Sequence, residues 1–238
     1  KHDGKIVYNK DNAILEKVLS PFPHKKQPFS TKSKDVLYKI DNNNIIGPSN
    51  DKLLNIDELS IPGEHNLQNF LAASTCSHLM GISQNQIVKS MKEFKGVEHR
   101  LEYVRTINEV KFINDSKATN IDSVIVAINT YKQPIILILG GFNKGANFRL
   151  LLPHIKSSHV RDIVSYGDAG GQINTALGDA VRSVQVTDLS SAVKKAQLMA
   201  APGDIVLLSP GCASYDEFSN FEERGNHFKS IIKNLAAS

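Results

Sequence analysis

Residues 113–120 read INDSKATN, with an aspartate, a serine, a lysine and a threonine in five positions and only Ala118 between them. A carboxylate at Asp115 beside an ammonium at Lys117 can handle a charged substrate. Asp115 suits a water or a ribose hydroxyl, and Lys117 suits a phosphate. The segment also has a plain structural use. Asn, Asp and Ser side chains accept hydrogen bonds from the free N–H groups of a helix start, so Asn114, Asp115 and Ser116 alone predict a cap. Lys117 fits that use poorly, because a cation near a helix N-terminus opposes the macrodipole unless an anion is there.

Three further segments have the same texture. GGFNKGANF, at 140–148, carries Lys144 two residues after Phe142. It is not a phosphate-binding P-loop, because no Ser or Thr follows the lysine in the GxxxxGK[ST] frame. Gly140 and Gly141 predict a tight turn, and Lys144 is a flexible point charge able to pair a carboxylate. GDAGG follows at 167–171. SPGCASYDEF, at 209–218, contains Ser214 and Glu217 in the S-x-x-E spacing of a capping box. That box predicts a terminal helix from near Glu217, with free N–H groups and a hydroxyl offered to an anion.

Each of these segments follows an apolar run. VKFI, IILIL, DIVSY and DIVLL read as strands. They are separated by helical patterns over 121–131, near 150–155, after Ala169 and over 189–199, with a short strand near 184–186. LEYVRTI and VKFIND form a hairpin through Asn108-Glu109. Apolar strands alternating with helices predict an α/β fold, Rossmann-like, with a mostly parallel sheet covered on both faces. Ligands of such sheets bind beyond the carboxyl ends of the strands, where the four polar segments fall. Residues 1 to about 60 differ. Their short β-like runs (5–8, 36–40, 44–47), split by DNNN and PSNDK, predict a small antiparallel excursion. Two helices follow, one with Asn66 and Asn69 on one face and one over 84–94.

Composition narrows the class. Of 238 residues, 41% are hydrophobic and 22% charged, as in ordinary globular proteins. No apolar run approaches the roughly 20 residues of a membrane span, and no signal peptide is visible. The chain opens on Lys1 rather than Met, so a fragment or processed piece is expected. Two distant cysteines, Cys76 and Cys212, offer neither a disulfide framework nor a zinc site. The net charge is only +4 and the lysines are scattered, with Lys25-Lys26 as solvated surface. Small anions are therefore expected as partners rather than nucleic acid.

Taken in order, GEHNLQNFLAA, GVEHRLEYV, FINDSKATN, LGGFNKGANF and LLSPGCASYDEFSNFEERGNHF resemble the Mur ligases of peptidoglycan biosynthesis, and among them the branch that adds D-glutamate. The resemblance runs from about residue 60 to the end. It implies an ATP-dependent, cytoplasmic, amide-forming ligase that works as a monomer with Mg2+. In that family the carboxylate of UDP-N-acetylmuramoyl-L-alanine is activated as an acyl phosphate, which the amine of D-glutamate attacks. The resemblance assigns 1–97 to the later part of a central ATP-binding domain and 98–238 to a C-terminal amino-acid-binding domain.

By position, the resemblance places Asn66 and Asn69 at adenine, Arg100 at the ATP phosphates, Asp115 near the ribose, and Lys117 at the phosphates and reaction centre. It makes Asp115 and Lys117 the catalytic pair. Thr119, Lys144, Ser214, Tyr215 and Phe221 match D-glutamate binders, with Tyr215 standing where leucine is common. The GKTT-type loop and the upstream Glu, His and modified Lys that organise magnesium are not found in this chain. No metal ligands are expected here, and the chain alone is expected to be inactive. Another Mur-type or folylpolyglutamate-synthase-like ligase is the nearest alternative, although the DNPR motif of the diaminopimelate-adding branch is absent. A non-catalytic nucleotide- or glutamate-binding module is the alternative from another class.

Overall fold

Six strands between Glu102 and Gly211 form one twisted sheet, and their apolar runs explain why. IILIL and IVLLS have no polar side chain to offer solvent until their last residues, so each must be covered on both faces. The computed structural model describes residues 4–235, and the chain divides into two compact units between Lys95 and Gly96.

In the second unit the strands are β6 (Glu102–Ile107), β7 (Val110–Asn114), β8 (Ile135–Gly140), β9 (Val160–Tyr166), β10 (Arg182–Gln185) and β11 (Ile205–Gly211). The earlier strands run as β1 (Lys5–Asn9), β2 (Lys25–Phe29), β3 (Lys39–Asp41), β4 (Asn44–Ile46) and β5 (Lys52–Asn55). The large sheet has the order β10-β9-β8-β11-β7-β6, parallel except for the hairpin strand β6. Asn108 and Glu109 turn that hairpin with φ of 48° and 62°, the left-handed pair that matches strand twist.

Helices α4 (Ile121–Thr130), α5 (Leu152–Ser157) and α6 (Gly170–Leu177) pack on one face through Val124, Ile128, Ile155, Ile173 and Leu177. Helices α7 (Leu189–Met199) and α8 (Phe221–Asn234) cover the other through Leu189, Val193, Phe228 and Ile232. The chain leaves β7 and β8 toward the first face and β11 toward the second. β11 lies between β7 and β8, so crevices open at its carboxyl end on both flanks.

In the first unit, β3, β4 and β5 form the expected antiparallel excursion. The rest of that expectation is incomplete. β1 and β2 pair in parallel around helix α1 (Ala13–Leu19), which buries none of its residues. β2 reads KKQPF, and its two lysines and Pro28 hide it from a pattern search. Helices α2 (Glu64–Leu79) and α3 (Gln84–Glu93) pack Phe70, Leu71, Ile87 and Met91 against Tyr38, Ile45 and Leu54. Among the described residues no helix is long and apolar enough to cross a membrane.

Candidate functional site

Three loops leave the sheet together and are stitched to one another by their backbones. Gly211 N donates to Ala118 O at 2.9 Å, joining the β11 and β7 ends. Phe142 and Ala213 exchange two bonds of 2.9 and 3.1 Å, joining the β8 and β11 ends. Gly141 makes the second junction possible: at φ of 118° a Cβ there would collide with Ala213 O. The glycine pair is thus a close-approach device, and Lys144 projects beyond it. Asn143 Oδ1 accepts from Gly145 N and Ala146 N at 3.0 and 2.7 Å, forming a side-chain-closed turn with exposed Lys144 at its tip.

Asp115 lies at the end of β7 and is almost fully buried. Its N donates to Leu208 O at 2.8 Å, and its carboxylate accepts from Ser209 Oγ at 2.8 Å and from Leu101 N at 3.1 Å. Burial pushes this carboxyl up to about 7, against the lowering pull of those two donors and the Arg100 charge. The caps expected of Asn114, Asp115 and Ser116 do not form. Asn120 caps α4 by accepting from Ser123 N at 2.9 Å, five residues after Asp115. INDSKATN therefore leads to a helix, but its first polar residues are turned to other partners.

Arg100 is exposed and sits between two tethered residues with left-handed backbones, His99 (φ 63°) and Leu101 (φ 46°). His99 O accepts from Lys117 N at 3.0 Å, and Leu101 N bonds Asp115, so the arginine rides on the β7 loop. The His99 ring is buried. Its Nδ1 lies 3.0 Å from the Asn114 amide, whose nitrogen also donates to Glu102 at 2.9 Å. Lys229 closes the set through Glu102 and Glu98.

The capping box expected of Ser214 and Glu217 is also not formed. Helix α8 starts at Phe221 under Asn220, which accepts from Glu223 N at 2.7 Å. Asn220-x-x-Glu223 repeats the same local pattern six residues further on, and tertiary packing selects it. Glu217 instead accepts from Leu189 N at the start of α7. Ser214 is buried, and its carbonyl accepts from Glu217 N and Phe218 N at 3.1 and 2.8 Å.

One residue central to this assembly was not singled out from sequence. Arg224 is wholly buried beneath the loops. It donates to Ser116 Oγ (2.9 Å), Ser116 O (2.8 Å), Cys212 O and Ala213 O (both 3.1 Å). Its hydrogen-bond partners are carbonyls and a hydroxyl rather than a carboxylate, and its charge pulls the neighbouring Glu217 carboxyl and Cys212 thiol downward. Burial still dominates at Cys212, whose thiol is pushed up to about 12. The signal was present in EERG, a charged residue at a helical position that the pattern turns inward.

Of the residues predicted from sequence, the second unit brings Arg100, Asp115, Lys117, Thr119, Lys144, Ser214, Tyr215 and Phe221 to the carboxyl ends of β7, β8 and β11. Asn66 and Asn69 lie in the first unit on α2; the Asn66 amide donates to Pro62 O at 2.7 Å, and Asn69 is exposed. Among the described residues no three His, Cys, Asp or Glu side chains are grouped to hold a metal ion.

A mostly parallel sheet with a switch at β11 and glycine-rich strand ends defines an α/β domain of the Rossmann-like class. Residues 99–212 match the family model described as Mur ligase, glutamate ligase domain, and the second unit is a Mur ligase C-terminal domain. Over 98% of its length the chain is 40% identical to a UDP-N-acetylmuramoylalanine--D-glutamate ligase of Lactobacillus johnsonii, covering 51% of that protein. It is 42% identical over 96% of its length to the enzyme of the same name from Clostridioides difficile, covering 52%. The chain therefore spans about half the length of the curated relatives it matches. In fold it is similar to MurF from Acinetobacter baumannii, with a TM-score of 0.66 at 14% identity over 98% of this chain and 52% of that one.

Proposed function

We propose that this chain is part of a cytoplasmic, ATP-dependent ligase of peptidoglycan biosynthesis that joins D-glutamate to UDP-N-acetylmuramoyl-L-alanine. One observation carries the choice of amino acid. Identity of about 40% runs along nearly the whole chain to ligases of that name. The structural likeness to MurF, at 14%, speaks for the fold alone.

In this reading the first unit is the later part of an ATP-binding domain, where Asn66 and Asn69 meet adenine. The second unit receives the amino acid. Arg100 and Lys117 face the phosphates, and Asp115 the ribose. Lys144 pairs a carboxylate of D-glutamate, with Thr119, Ser214, the Tyr215 backbone and Phe221 completing the pocket. The reaction must bring a phosphorylated carboxylate and a dicarboxylate together, and two exposed ammonium groups above a buried guanidinium lower the cost of that approach. When bound, Mg2+ would screen the phosphates; its ligands are not assigned to this chain.

The test is a kinetic split in the complete protein. Lys144→Ala should raise the KM for D-glutamate at least tenfold, a loss of about 1.4 kcal/mol, with little change in the KM for ATP. The reverse split would refute the role.

A further inference from the structure

Lys117 and Lys144 are held in a way that the sheet topology does not require. Lys144 Nζ lies 4.8 Å from the centroid of the Tyr215 ring, and Lys117 Nζ lies 5.7 Å from that of Phe221. Both separations fall within the roughly 6 Å over which a ring face attracts a cation. Among the described residues neither ammonium has an ion-pair partner.

Both rings belong to the stretch from the β11 loop to the first residue of α8, and that stretch is anchored. Ser214, before Tyr215, is buried, and its neighbour Ala213 is bonded to Phe142. Phe221 O accepts from Ser116 Oγ at 2.8 Å, and its ring meets His99 edge-on at 6.2 Å. Tyr215 itself is 61% exposed, so its ring face is open to the Lys144 ammonium.

The choice of partner matters. A carboxylate would also hold a lysine, but it would neutralise the ammonium and compete with an incoming anion. An aromatic face restrains the long side chain while leaving its charge uncompensated. We propose that Tyr215 and Phe221 are positioning residues. Each ring holds one ammonium, so that the cations from the β7 and β8 loops stand at a set separation over the end of β11. Lys144 is thereby fixed for the carboxylate of the amino acid and Lys117 for the phosphoryl group. The inference rests on the reading of the site given above.

Two measurements separate the inference from that reading. In NMR spectra of the chain labelled at lysine, the Lys144 ε-methylene signals should be shifted upfield by the Tyr215 ring. Tyr215→Phe should keep the shift, and Tyr215→Leu should return it to the value of a free lysine. In the complete ligase, Tyr215→Leu should raise the D-glutamate KM about two- to fivefold, the scale of an exposed cation–π contact. Tyr215→Phe should stay near wild type, and the KM for ATP should not follow. The inference is overturned if the wild-type Lys144 signals already sit at free-lysine values. It is also overturned if Lys144→Ala raises the D-glutamate KM while Tyr215→Leu leaves it unchanged. If Lys144→Ala itself leaves that KM unchanged, the reading of the site falls and takes the inference with it.

Discussion

Asp115 is a carboxyl group taken out of water where two strands end. Its ordinary value of 3.8 is pushed up to about 7 by burial, which outweighs Ser209, Leu101 and Arg100. The sign of the consequence follows from proton counting. Between about pH 4 and pH 7 the folded chain keeps a proton on Asp115 that the unfolded chain has lost, so this group's contribution to stability falls as pH rises through that window. Asp115→Asn should abolish that part of the slope. In urea unfolding measured from pH 4 to 8, the variant should gain on wild type by up to about 1.4 kcal/mol per pH unit, levelling off above pH 7. A constant difference across the range would show that Asp115 is not the titrating group. Sequence made this residue a candidate because Asp115 and Lys117 crowd one strand end. Its hydrogen bonds were not readable there, since Ser209 lies 94 residues away and Leu101 reaches it only through the hairpin.

The strands and most helices were legible because their apolar runs and 3.6-residue periods are local properties. α7 falls at 189–199 as its pattern predicts, and Gly140-Gly141 marks the end of β8. The loops were legible in composition but not in partnership. Both expected caps were displaced, to Asn120 and Asn220, because several polar residues in each loop satisfied the same local rule and packing chose among them. Arg224 shows what that packing depends on. Its fork satisfies Ser116, Cys212 and Ala213 at once, tying the β7 and β11 loops to α8. Arg224→Lys keeps the charge but cannot span these acceptors. Leaving buried carbonyls without donors should lower unfolding stability by about 2–4 kcal/mol, read as a lower urea midpoint at unchanged m-value. A loss below about 0.5 kcal/mol, the range of ordinary surface substitutions, would contradict the role given to the guanidinium.

At the scale of the molecule, each unit has its own apolar core, and the candidate amino-acid site lies wholly within the second. The chain contains no GxxxxGK[ST] segment and spans about half the length of its curated relatives. That absence was visible in sequence, as was the shared end of the sheet where the strand-end loops meet. How the rings of Tyr215 and Phe221 lie against the lysines was not, because neighbours in that arrangement are far apart along the chain. The central claim is the identity of the amino acid. It is tested most directly by giving the complete protein ATP, Mg2+ and UDP-N-acetylmuramoyl-L-alanine with a panel of single amino acids and following phosphate release and the amide product. The account predicts turnover with D-glutamate and at least a hundredfold lower kcat/KM with L-glutamate, L-lysine or meso-diaminopimelate, a discrimination of about 2.7 kcal/mol. Preferred turnover with any of those three would contradict it.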